Sequence, residues 1–233
     1  HETPQLRIEH GLGPEFVALA ERRLSGNVYQ HGSPLRAGYV GNLLMPFIDR
    51  ASLLRIIAEN PGIEFNLWGP RSPSESNVGG DASEDGASFV ASLESMSNVR
   101  LHGSQPPSVL AQQIGDVDVL LMCYSVARDP NRGCNSHKIL EYMSTGRVIV
   151  ANHVSDYVDK PGLSEMQSAG ESTGMVEQFA LVVRELDRHN DARRSRRRLE
   201  YALDNSYEKQ LDRIAVFAAG VSQRAPNREY APA

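Results

Sequence analysis

Residues 135–151 read Asn-Ser-His-Lys-Ile-Leu-Glu-Tyr-Met-Ser-Thr-Gly-Arg-Val-Ile-Val-Ala, and this stretch decides the fold class. A polar pair, Asn135 and Ser136, is placed to cap a helix over about 136–145. Gly146 ends that helix, and the apolar run at 147–151 suits a strand buried in a parallel sheet. Lys138 and Glu141 fall one turn apart, about 4.5 Å along the axis, on one face. A cation at a helix N-terminus suits a phosphate. A carboxylate beside it accepts two hydrogen bonds and suits a diol. Spacing alone leaves a second reading open, in which the two residues form an ion pair on a solvated helix face.

Working outward, strand and helix signals alternate. Ala37–Gly41 reads as a strand ending in glycine, with Asn42 opening a loop, and Arg50–Glu59 has a helical apolar pattern. Pro61-Gly62 breaks that helix, and Ile63–Trp68 is a strand closed by Gly69-Pro70. Residues 71–86, rich in serine, glycine and acids, read as a mobile loop. A helix is expected near 87–96, a strand at Val99–Leu101, a helix from Pro106-Pro107 to Ile114, and a strand at Val117–Met122. Apolar strands separated by single helices predict a Rossmann-like, doubly wound parallel sheet. Ligands of such sheets sit beyond the C-terminal strand ends, here Gly41-Asn42, Gly69-Pro70, Gly103-Ser104, Cys123–Ser125 and Asn152-His153.

Four segments follow from this pattern. Residues 1–25 form a hinge segment, His10-Gly11, and a helix from Pro14 to Leu24; residues 26–190 form the Rossmann-like domain. Residues 191–220 form C-terminal helices, and 221–233 a disordered tail. Met175–Arg188 reads as one amphipathic helix, and the arginine-rich stretch at 193–198 as a solvated face that leaves contact with anionic lipid at the membrane periphery open.

A formal charge of −5 argues against a general nucleic-acid binder. Cys123 and Cys134 are too few for a disulfide framework or a structural zinc site. Cys123 closes an apolar run and reads as a buried thiol, which fits a reducing, cytoplasmic setting. No run approaches the roughly 18 apolar residues of a membrane span, and no signal peptide is visible. The chain opens on His1, and we read it as part of a longer protein. Trp68, Tyr142 and His102 read as packing or satisfied structural residues, and His153, Asp156 and Asp159 lack metal-ligand spacing.

From about residue 37 to 157 the motif order resembles the C-terminal, donor-nucleotide domain of GT-B glycosyltransferases. The bacterial polysaccharide, teichuronic acid and xanthan-pathway sugar transferases are the nearest in pattern. The resemblance is carried by Gly38-Tyr39-Val40-Gly41, Leu67-Trp68-Gly69-Pro70, Asn98-Val99 with Gly103, and the segment of Lys138, Glu141, Tyr142, Gly146 and Val150. It implies one half of a GT-B fold that binds a nucleoside-diphosphate sugar, most simply a UDP-sugar, as substrate, with neither metal nor cofactor. It places Glu141 on the donor ribose and Lys138 near the diphosphate, with Asn135 and Ser136 at the same helix start. Gly41 and Asn42 would face the phosphates, Gly103, Ser104 and Gln105 the nucleobase, and Ser125 with the loop 128–135 the donor sugar. Arg128 and Arg132 are candidate phosphate ligands. The acceptor site and any catalytic base would belong to an N-terminal acceptor domain absent from this chain. Many retaining members carry a second glutamate eight positions before the ribose glutamate, where this chain has Gly133. That departure keeps two alternatives open: a catalytically inactive nucleotide-sugar-binding or scaffold domain, and a sugar-nucleotide epimerase.

Overall fold

Alternate residues of each central strand face opposite ways, and both faces are apolar. Tyr39, Leu121 and Val150 point into one buried cluster, and Val40, Leu120 and Ile149 into another. A sheet with two such faces must be covered on both sides, which the helices between its strands accomplish. The computed structural model describes residues 4–26, 31–76, 84–125, 127–128, 137–166 and 174–224. Among them run α1 (Pro14–Ser25), β1 (Leu35–Val40), α2 (Arg50–Glu59), β2 (Ile63–Trp68), α3 (Glu84–Ser95), β3 (Val99–Gly103), α4 (Pro107–Gly115), β4 (Val119–Met122), α5 (His137–Met143), β5 (Val148–Ala151), β6 (Glu165–Met166), α6 (Gly174–Arg184), α7 (Leu186–His189), α8 (Ala192–Asp204) and α9 (Tyr207–Arg224).

The strands pair in parallel in the order β3-β2-β1-β4-β5-β6. The direction of winding therefore reverses between β1 and β4, which is the switch point where such sheets open a crevice. The α2, α3 and α6 helices cover one face, with Ile56, Phe89 and Phe179 in the core. The other face is covered by α1, α4, α5 and α8, through Phe16, Ile114, Leu140 and Ala202. Both the hinge-side helix and the arginine-rich helix are therefore packed onto the same sheet as the Rossmann-like elements.

Several boundaries differ from the sequence reading. The expected loop at 71–86 contains a 3-10 turn at Pro73–Glu75, and α3 begins at Glu84; residues 77–83 lie outside the described residues. The helix expected over 175–188 is two, α6 and α7, because the backbone turns at Glu185. The last helix runs through Gly220 to Arg224 rather than ending at the glycine, since a single glycine weakens a helix without stopping it; the tail beyond lies outside the described residues.

The arginine run does not form one solvated face. Arg198 is buried at 1 % exposure, donating to the Gly146 carbonyl at 2.6 Å and to the His189 carbonyl. Arg194 pairs with Asp191, and Arg196 with Glu200 at 3.1 Å. Helical geometry spreads consecutive residues around the axis, so a block of like charge in sequence is divided among different environments.

Candidate functional site

Three glycines shape the rim at the C-terminal strand ends. The Gly41 amide donates to the Trp68 carbonyl and the Gly69 amide to the Gly103 carbonyl, each at 2.8 Å. Gly69 has φ +134°, and a Cβ there would overlap the Gly41 carbonyl oxygen, so only glycine fits. Gly41 is confined differently: a Cβ would come 2.8 Å from the hydroxyl of Tyr39, whose side chain leans along β1 under the loop. Burial, with Tyr124 and Tyr142 nearby, pushes the Tyr39 phenol well above its ordinary pKa, so it stays protonated.

The loop after β1 folds back over the crevice. Asn42 Oδ1 accepts from the Leu44 amide at 3.0 Å, an Asx turn, and its Nδ2 donates to the Ser76 hydroxyl at 2.9 Å. Ile48 bridges Tyr124 in antiparallel fashion, and the Ser125 amide donates to the Phe47 carbonyl at 2.7 Å. On the neighbouring strand end, Asn152 Oδ1 accepts from the Tyr124 amide. Gly41, Asn42 and Ser125 are thus brought together at the switch point, with Tyr124 and Asn152, which the sequence marked only as strand ends.

The α5 helix descends from the same rim, because it follows β4 in a parallel sheet. Tyr142 fastens it. Its hydroxyl accepts from the Val40 amide at 2.6 Å and lies 3.2 Å from the Leu121 carbonyl, bonding where the β1–β4 ladder stops. One residue earlier, Glu141 is 19 % exposed at its side chain. Burial pushes its carboxyl up to about 7, against the opposing pull of Lys138. Lys138 is half-buried, and burial lowers its pKa although Glu141 opposes the shift. In both groups desolvation outweighs mutual attraction, so this is not the water-exposed pair that the alternative reading describes. His137 Nε2 lies 4.0 Å from Glu141 Oε1.

Gly103, Ser104 and Gln105 lie at the end of β3, across β2 from Gly41, with the Gln105 amide donating to the His102 carbonyl at 2.7 Å. They share the rim with Gly41 but are two strands from the crevice. Arg128 donates to the Ile48 carbonyl at 3.0 Å, which holds its guanidinium against the folded-back loop. Arg132, Gly133, Cys134, Asn135 and Ser136 lie outside the described residues. Trp68 and Tyr142 are buried packing residues as expected, and His102 stacks on Trp68 at 4.9 Å while hydrogen-bonding Asn66 at 2.7 Å. Cys123 is a buried thiol, as expected. Among the described residues, no cluster of His, Cys, Asp and Glu is arranged to hold a metal ion. A depression lined by His31, Leu35, Val183 and Arg188 lies at the start of β1, the opposite end of the sheet from the glycine rim.

A parallel sheet of this order, with a glycine rim and a half-buried Lys–Glu pair at its switch point, is a doubly wound, Rossmann-like α/β fold. The Glycosyl transferase-like family model matches residues 50–214, more than half of the chain, and the chain belongs to that family. None of the curated protein sequences matches it. Among solved structures, it is similar to Anabaena HepE in complex with UDP-glucose (TM-score 0.58, 16 % identity, 92 % of this chain and 54 % of that one). It is also similar to sucrose-phosphate synthase from Thermosynechococcus elongatus (TM-score 0.68, 15 % identity, 96 % and 54 %). A trehalose-phosphate synthase from Burkholderia vietnamiensis is a third (TM-score 0.62, 15 % identity, 91 % and 50 %). At these identities the likeness is one of fold, that of GT-B glycosyltransferases. The chain spans about half the length of the structures it matches.

Proposed function

We propose that this chain is the donor-binding half of a glycosyltransferase that takes a nucleoside-diphosphate sugar, with UDP-sugar as the first candidate. The observation that carries the reading is the desolvated Lys138–Glu141 pair on a helix fastened by Tyr142 to the switch point of the sheet. Family membership and the fold shared with the UDP-glucose complex of HepE support it. Glu141 receives the ribose 2′ and 3′ hydroxyls, and Lys138 faces the diphosphate, where charge develops as the sugar leaves. Gly41 and Asn42 present backbone to the phosphates; Gly103, Ser104 and Gln105 lie toward the base; Ser125 and Arg128 lie toward the donor sugar and phosphates.

The acceptor, a growing polysaccharide or a lipid-linked sugar, is bound by another domain. The apolar stripe of Tyr207, Leu211, Ile214 and Val221, exposed along α9, is available to pack against such a domain. Among the described residues no helix is long and apolar enough to cross a membrane. We place the reaction in the cytoplasm, consistent with the buried Cys123 thiol.

Calorimetric titration of this chain with UDP, GDP and ADP, with Glu141→Ala alongside, tests the proposal. Saturable binding of one nucleotide, lost in the variant, is the expected result. Binding of none would overturn it.

A further inference from the structure

His137 stands between two parts of the chain that have no contact in sequence. On one side its Nε2 lies 4.0 Å from the Glu141 carboxylate one turn along α5. On the other its ring meets that of His10 edge-on, with centroids 5.8 Å apart and planes at 65°. The segment carrying His10 is itself held down. The Leu12 amide donates to the Asn205 carbonyl at 2.8 Å, and the Tyr207 amide to the Leu12 carbonyl at 3.1 Å. Gly11 packs so closely under Tyr207 that a Cβ would overlap its ring. Glu9 lies 4.0 Å from Lys160, and Arg7 2.5 Å from Asp156.

Glu141 has the lesser exposure of the pair, 19 % against 52 % for the His137 side chain, so the imidazole beside it is the more open to solvent. The groups around His137 are His10 from the segment ahead of α1 and Lys138 and Glu141 on its own helix. Burial, Lys138 and His10 all disfavour its protonation, so near neutral pH it is an uncharged ring with one N–H to donate. At 4.0 Å it is just beyond a direct hydrogen bond, a gap that a side-chain rotation or one bridging water closes.

We propose that His137, braced by His10, is a positioning residue that holds the Glu141 carboxylate in the orientation that receives a diol, tying the segment ahead of α1 to ligand binding. The inference rests on the donor-site reading above and adds a residue to it. Neither histidine touches the nucleotide in this scheme; both act through Glu141.

The test is calorimetry on the whole chain with UDP and with 2′,3′-dideoxy-UDP, for the unaltered protein, Glu141→Gln, His137→Phe and the double variant. His137→Phe keeps a ring against His10 and removes the nitrogen. It is expected to weaken UDP about fivefold to tenfold, in line with the loss of one hydrogen bond of ordinary net strength. It should leave dideoxy-UDP unchanged and cause no further loss in the Glu141→Gln background. Equal weakening of both ligands, additive losses, or no loss at all would overturn the inference while leaving the donor reading intact. If UDP does not bind the unaltered chain, the donor reading fails and the ligand role falls with it.

A readout without ligand tests the brace itself. The pH titration of the His137 imidazole by NMR should shift upward in His10→Ala, because His10 disfavours protonation of the His137 ring. The Glu141 carboxyl, followed in the same way, should titrate higher in His137→Phe, where a donor that favours the carboxylate is removed. Midpoints unmoved by these substitutions would show that the three groups are uncoupled.

Discussion

The hydroxyl of Tyr142 accepts a hydrogen bond from the Val40 amide at 2.6 Å, joining the helix that carries Lys138 and Glu141 to the last residue of β1. Both partners are buried, so water cannot replace the bond. Tyr142→Phe leaves the Val40 amide without this acceptor, and the expected cost is about 1–3 kcal/mol. Urea unfolding should show a lower midpoint at unchanged slope.

Glu141 and Lys138 should separate by ligand. Glu141→Ala removes a charge-assisted contact to the ribose and should weaken both uridine and UDP, by about tenfold to a hundredfold. Lys138→Ala should weaken UDP by a similar factor while leaving uridine within about twofold, since a nucleoside has no phosphate to lose. Calorimetry with the two ligands measures the difference.

Nucleotide binding should depend on pH through Glu141. Its folded carboxyl titrates near 7, above the usual 4.5 because it is buried. The carboxylate that accepts the diol is therefore present above about 7 and lost as pH falls, and UDP affinity should decline below neutrality with Glu141→Gln insensitive. Stability runs the other way. Between the unfolded and folded values the native state binds the extra proton, so this group's contribution rises as pH falls from 7 toward 4.5, up to about 3 kcal/mol at 1.36 kcal/mol per unit. Unfolding of Glu141→Gln compared with the unaltered chain at pH 5 and pH 8 checks the sign.

Gly69→Ala puts a Cβ into the Gly41 carbonyl at a backbone φ of +134°. Since L residues are strained there, a loss of more than about 2 kcal/mol is expected, together with loss of nucleotide binding as the rim shifts. Gly62→Ala is the control: a Cβ there meets nothing within 4 Å, and its effect should stay within about 0.5 kcal/mol. Denaturant midpoints of the two variants decide it.

Arg198→Met should cost about 3 kcal/mol or more, because the carbonyls of Gly146 and His189 lose their donor inside the fold. Burial already lowers the guanidinium pKa to about 10. Arg193→Met, five positions earlier on an exposed turn of the same helix, should be nearly neutral. Thermal unfolding of both variants compares the two sites.

The central strands were legible because a strand buried on both faces is a continuous apolar run, as at Ile63–Trp68 and Val148–Ala151. The Lys138–Glu141 spacing was legible because three residues along a helix always return to the same face. The break at Glu185 was not, since the apolar period continues through it and only the packing of α6 and α7 shows the turn. The arginines at 193–198 looked alike in sequence, yet Arg198 is buried between two helix ends while its neighbours meet carboxylates or solvent.

By itself, the sequence determined the alternation of strands and helices, the glycines at the strand ends and the pairing of a cation with a carboxylate on one helix face. These are local properties, set by the 2-residue and 3.6-residue periods of the backbone and by where glycine and proline interrupt them. Only the tertiary structure decided that β1 lies beside β4, that Tyr142 bonds where those strands part, and that His10 meets His137. Such contacts join residues far apart in the chain. They depend on how the two faces of the sheet are filled, and no local period of the sequence carries that information.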